Sequence, residues 1–140
     1  MHRREWLYLA FFFATIGVAP SLTAMAQAKS WPSRQDNKGQ VIVSVTPTEL
    51  PDTGTWQFAV RLNTHVAPIT QDLVAVSVLS DGKGHEEKPT AWQGDPPGSH
   101  HRKGVLLFKA MSPRPASITL KIRQVGSVPE RAFTWNLTGQ

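Results

Sequence analysis

The densest run of side chains with chemistry to offer is Trp92-Gln93-Gly94-Asp95-Pro96-Pro97-Gly98-Ser99-His100-His101-Arg102-Lys103-Gly104. Two prolines and three glycines give this stretch a defined path. A loop, unlike a strand, can turn adjacent imidazoles toward a common point. Neutral imidazole is a strong ligand for copper, zinc or nickel. His65 supplies a third ring, so His65, His100 and His101 are the candidate metal ligands, with copper or zinc as the ion and Asp95 or water in a further position. The same stretch also reads as a metal-free binding surface made by Trp92, Asp95, His100, His101 and Arg102. Against the metal stand Arg102 and Lys103, whose charge disfavours a bound cation, and the lack of any H-x-H or H-x3-H spacing. A further reading has both histidines solvated, or bonded to neighbouring carbonyls so that they hold the loop.

Catalytic patterns are weaker. Ser99, His100 and Asp95 are the residue types of a hydrolytic triad, but adjacent residues rarely reach the base-to-nucleophile geometry, and no nucleophile elbow occurs. There is no phosphate-cradling glycine loop and no dinucleotide fingerprint. Zinc hydrolysis would also need a placed general base, and none stands out. No catalytic residue is assigned, and the chain reads as a non-enzyme.

The frame that must position these residues is all-β. Val41, Val43 and Val45 alternate with Ile42, Ser44 and Thr46. Trp56, Phe58, Val60 and Leu62 then alternate with Gln57, Ala59, Arg61 and Asn63, which marks a sheet with one buried face. Val74, Val76 and Val78 form another inward row. Residues 86–92 make a poorer strand whose charges and Pro89 suit a sheet edge. Val105–Phe108 is short and apolar. Ile118, Leu120 and Ile122 alternate with Thr119, Lys121 and Arg123, and Phe133, Trp135 and Leu137 close the pattern. Seven short strands separated by Gly/Pro turns predict a single seven-stranded antiparallel β-sandwich of the immunoglobulin or fibronectin-III kind. If each strand runs antiparallel to the one before, the loops 63–72, 93–103 and 125–130 collect at one end. His65, His100 and His101 fall there, whereas His85 and Met111 fall at the other. Loops held at one end of a sandwich are a usual place for binding.

The opening Met1-His2-Arg3-Arg4-Glu5, the apolar run Leu7–Ala19 and the small-residue stretch Ala24-Met25-Ala26-Gln27-Ala28 have the order of a secretory signal peptide. Arg3-Arg4 before Trp6-Leu7 also resembles a twin-arginine signal. Residues 1–28 are therefore read as the leader, 29–39 as a flexible polar lead-in and 40–140 as the sandwich domain, with a periplasmic or secreted location. The chain of 140 residues carries +5 overall, and residues 29–140 carry thirteen basic against nine acidic residues, or +4. These charges (Arg61, Lys88, Arg102, Lys103, Lys121, Arg123, Arg131) look dispersed, and export removes most nucleic-acid partners. Attraction to anionic headgroups is the residual surface reading. The chain has no cysteine, so any metal rests on imidazole and oxygen, or on Met111. Trp56 and Trp135 belong to inward rows and are read as core. Trp92 is placed beside His100, and Trp31 either stands exposed or docks on the domain. Asn136-Leu137-Thr138 matches a glycosylation acceptor inside a strand, where it carries little weight.

Asn63-Thr64-His65, Val76-Ser77-Val78-Leu79, Trp92 through Leu106 and Gly126-Ser127-Val128-Pro129-Glu130-Arg131 resemble a group of small exported prokaryotic immunoglobulin-like β-sandwich domains. The resemblance covers most of 41–138, and a second glycine would be expected where Ser99 stands. It implies a sandwich with its marked loops at one end and no catalysis. The expectation is an exported, non-enzymatic binding or accessory protein whose contacts lie at the His65/His100/His101 end. Its partner would be an envelope protein or small ligand, with no nucleic acid and no membrane span once the leader is removed. The alternative is a periplasmic copper- or zinc-binding protein using the same histidines. A third is a structural domain that docks through the edge strand at 86–92.

Overall fold

Period-two alternation can bury a row of side chains only if a second sheet covers it, and that is the arrangement found. The computed structural model describes residues 29–139, so the leader expected at 1–28 lies outside the described residues. The strands are β1 (Arg34–Asp36), β2 (Val41–Glu49), β3 (Thr55–Thr64), β4 (Ser77–Ser80), β5 (Glu86–Glu87), β6 (Ala91–Gly94), β7 (His101–Lys109), β8 (Ser117–Val125) and β9 (Val128–Asn136). One sheet has the order β1-β2-β3-β7-β6 and the other β5-β4-β8-β9. Every pairing is antiparallel. The inward rows are the alternating ones: Val43, Val45, Trp56, Phe58, Val60 and Leu62 face Leu120, Ile122, Phe133 and Trp135, all buried. Phe58 joins the sheets, touching Phe108 edge-on at 5.5 Å and Trp135 at 5.8 Å between centroids.

The described residues form nine strands, not seven. The expected strand at 86–92 is two short ones belonging to different sheets: β5 pairs with β4, and β6 pairs with β7. Pro89 lies buried at the crossing, where its missing N–H breaks no ladder. Each half is an edge, as its charges suggested. The valine row at 74–78 also differs. Leu73–Val76 is a single helical turn that Asp72 caps by accepting from the Val74 N–H at 2.9 Å, and the strand begins only at Ser77.

Parts of the lead-in are built into the fold. Residues 34–36 add β1 to the first sheet, and Trp31 is buried in the core. The Trp135 indole N–H donates to the Pro32 carbonyl at 2.7 Å. Arg131, expected among the scattered surface charges, is 1% exposed. Its guanidinium reaches from β9 to the Asp36 carboxylate, the Lys38 carbonyl (2.7 Å) and the Val125 carbonyl (3.1 Å). A buried cation forces this capture, because its donors need partners once water is gone. The N-terminal segment is thereby strapped across from one sheet to the other.

The sorting of loops between two ends follows from the antiparallel path. The Ile69–Ser99 bridge joins the β3–β4 and β6–β7 connections. Gly39 and Gly126, at φ +58° and +61°, bring the turn before β2 against the β8–β9 turn. A Cβ at Gly39 would collide with the Gly126 carbonyl, so glycine is required there for both conformation and room. Met111 lies buried away from these loops, beyond β7.

Candidate functional site

The histidine end is built by the last residues of β3 and the first of β7. Their register sets Asn63 opposite His101. Beyond it the Thr64 N–H donates to the His100 carbonyl at 2.9 Å, the Ile69 N–H to the Ser99 carbonyl at 2.9 Å, and the Gly98 N–H to the Ile69 carbonyl at 2.9 Å. Buried Thr64 accepts from the Val66 N–H at 3.2 Å through Oγ1. Two loops far apart in sequence are thus tied by backbone bonds, and the rings they carry are held on one surface.

His65 and His101 meet edge to face, with centroids 5.7 Å apart. Two imidazoles sharing one ion through bonds near 2 Å would have centroids roughly 5 Å apart. The His101 Nδ1 lies 2.9 Å from the Asn63 Oδ1. With the amide oxygen accepting, Nδ1 carries the proton and neutral His101 presents its lone pair at Nε2. His65, His100 and His101, with Thr64, Gly98 and Ser99, line an open concavity of about 590 Å³. Among the described residues no group of three or more His, Cys, Asp or Glu side chains is arranged to hold a metal ion. His85 is remote from this end and pairs with Glu87 at 2.9 Å.

The other three binding candidates are placed differently. Arg102 is buried, in parity with the inward Leu106 and Phe108 of β7. Its Nη1 donates to the Gln71 carbonyl at 2.8 Å and the Ile69 carbonyl at 3.4 Å, and its Nη2 to the Asp95 carbonyl at 3.4 Å. Burial pushes the guanidinium below its ordinary range, opposed by the Asp95 and Asp72 charges. Trp92 is half-buried, lies 5.7 Å from the Arg102 guanidinium and donates its indole N–H to the Asp95 carbonyl at 2.9 Å. Its ring is seated over the facing pair Gly94 and Gly104, where a Cβ on either would come within 2.8 Å of it. The Asp95 carboxylate accepts from the Lys103 N–H at 2.9 Å. Trp92, Asp95 and Arg102 are engaged with one another and with loop backbone, and so brace the concavity from behind.

Ser99 does not address a histidine ring. Its hydroxyl donates to the His101 carbonyl at 2.9 Å and accepts from the His101 N–H at 3.2 Å, which closes a turn. Residues that matter here and that the sequence reading passed over are Asn63, Thr64 and Ile69. Asn63 was detectable as the last outward position of the clearest strand, but its pairing with His101 depends on register. No helix among the described residues is long and apolar enough to cross a membrane. No family model, curated protein or solved structure matches this chain.

Proposed function

We propose that this chain is an exported, non-enzymatic β-sandwich binding or accessory protein whose contacts lie at the His65/His100/His101 end. The observation that carries the reading is the shared concavity lined by those three histidines and Thr64 on a backbone-tied pair of loops. The order β2-β3-β7-β6 against β5-β4-β8-β9 supports an immunoglobulin-like sandwich, being the order of strands A-B-E-D against a C-F-G sheet with one added edge. The leader-like residues 1–28 support export to the periplasm or medium. The partner is an envelope protein or a small ligand. The test is a photo-crosslinking amino acid placed in the exported chain at His100 and, as control, at Lys83 in the loop between β4 and β5. A discrete adduct from position 100 and none from 83 is expected. Adducts from 83 alone, or equally from both, refute a functional histidine end.

A second reading has its own support. The Asn63 amide oxygen lies 2.9 Å from the His101 Nδ1, where an outer hydrogen bond orients an imidazole ligand, and His65 lies at nearly the separation required. On this reading the protein binds copper or zinc, with His100 swinging in as the third ligand. Titrating residues 29–140 with Cu(II) or Zn(II) is then expected to saturate at one equivalent and raise Tm. Replacing His100 and His101 together by alanine is expected to abolish both effects. An unchanged melting curve at excess metal eliminates this reading and leaves the first intact.

A further inference from the structure

Arg61 and Lys103 stand directly opposite each other on β3 and β7, on the outer face of the first sheet. Both are exposed. Like charges at directly opposed positions are destabilising, with Cβ atoms roughly 5 Å apart. Among the described residues neither side chain forms an ion pair, although six such pairs occur elsewhere. The neighbouring row adds Asn63, whose Oδ1 is taken by His101 and whose amide NH2 remains to donate.

These side chains line a hollow of about 210 Å³ with Asp95, His101 and Arg102. Two exposed cationic side chains, Arg61 and Lys103, therefore meet one carboxylate, Asp95, in its lining, a formal surplus of +1, while the Arg102 side chain turns to the inner side of the sheet. Asp95 accepts from the Lys103 backbone N–H through Oδ2, and among the described residues its carboxylate forms no ion pair with the Lys103 ammonium. The hollow is small, electropositive, and supplied with a fork-shaped donor, a point charge and a neutral amide. That combination matches a tetrahedral oxyanion.

We propose that this hollow is a phosphate-type oxyanion subsite, in which Arg61 and Lys103 grip the anion from adjacent strands and the Asn63 amide supplies a neutral donor. The bound group relieves the cross-strand repulsion that the free protein carries. The subsite goes beyond the loop-end reading: it lies on the sheet face, shares only His101 with the concavity, and needs neither His65 nor His100. The phosphoryl oxygens come either from free phosphate or from the headgroups of an anionic lipid surface.

The test titrates inorganic phosphate into residues 29–140 at low ionic strength, following backbone amide resonances, and separately sediments the protein with phosphatidylglycerol and phosphatidylcholine vesicles. Saturable shifts centred on residues 61–63 and 101–103 are expected, weakened at least tenfold in Arg61→Gln with Lys103→Gln. Without phosphate that variant is expected to melt no lower than the wild type, because it loses only a repulsive neighbour. Co-sedimentation with phosphatidylglycerol alone, lost in the variant, assigns the anion to a lipid surface. A phosphate response without vesicle binding assigns it to a free ion. Failure to respond to either probe, or an equal response in wild type and variant, overturns the proposal. His65→Ala is expected to leave both responses unchanged, which separates this outcome from failure of the histidine end.

Discussion

Replacing Arg131 by alanine is expected to lower the unfolding free energy by about 3–5 kcal/mol, the usual cost of removing one member of a buried ion pair. The Arg131 side chain is fully buried and Asp36 is 15% exposed, so the carboxylate left behind cannot be fully rehydrated. The Lys38 and Val125 carbonyls lose their donor as well. The damage should concentrate in the N-terminal strap, with faster amide exchange at 34–36 and loss of the Trp135–Pro32 contact. A double variant, Arg131→Met with Asp36→Val, is expected to recover most of the loss, because the unpaired charge is gone. Urea denaturation of the three proteins measures this. A cost below about 1 kcal/mol for Arg131→Ala, the level of an exposed pair, would mean the strap is held by Trp31, the β1–β2 pairing and the Trp135–Pro32 bond without the buried ion pair.

The same pair gives acid sensitivity of a definite sign. Burial would raise the Asp36 carboxyl, but the Lys38 N–H and the Arg131 and Lys38 charges outweigh it and hold the group below the ordinary carboxylate range. A depressed folded value means the stabilisation is fully present above the unfolded value of about 3.9 and is lost as pH falls through the folded one. The stability difference between wild type and Asp36→Asn should therefore be constant near neutrality and shrink only below about pH 4. A difference that instead grows toward acid pH would contradict the assignment.

Replacing Arg102 by alanine is the second large effect, expected at about 3 kcal/mol from lost charged hydrogen bonds and a vacated buried volume. Its consequence for the histidine end is specific. One guanidinium binds carbonyls of Ile69, Gln71 and Asp95, so it links the loop carrying His65 to the loop carrying His100 and His101. Amide exchange should accelerate at 65–72 and 95–100 while the opposite end, including Ala110, stays protected. Arg102→Lys keeps the charge but loses the planar fork, and it should recover less than half of the stability. Unchanged protection of both loops in Arg102→Ala would show that backbone bonds alone define the concavity.

Both arginines show how far the chain could be read unaided. Arg131 precedes Phe133 and Trp135 at the same parity, and Arg102 shares parity with Leu106 and Phe108. Extending either alternation by one or two pairs would have turned them inward. Their charge argued for solvent, and the partner that makes burial tolerable is in one case 95 positions away. The contacts of the lead-in were hidden for the same reason: Asp36 and the Pro32 carbonyl matter only once β9 lies beside them. The strand at 86–92 was visible as an edge, but its division between two sheets was not, since Pro89 only interrupts a ladder and does not say where each half goes.

What was legible along the chain is what depends on neighbours in sequence. Alternation sorts one face from the other, Gly and Pro turns cut the strands, and strict antiparallel succession alone delivered His65, His100 and His101 to one end. Register belongs to the tertiary structure, because a shift of two residues keeps every inward row inward and yet exchanges every cross-strand pair. Register set Asn63 beside His101 and, one row further, Arg61 against Lys103. Of the basic residues that looked scattered in sequence, Arg102 and Arg131 become buried braces, Arg61 and Lys103 an exposed cross-strand pair, and Lys121 and Arg123 partners of Glu86 and Glu130. Burial and cross-strand adjacency, which no local pattern encodes, made that division.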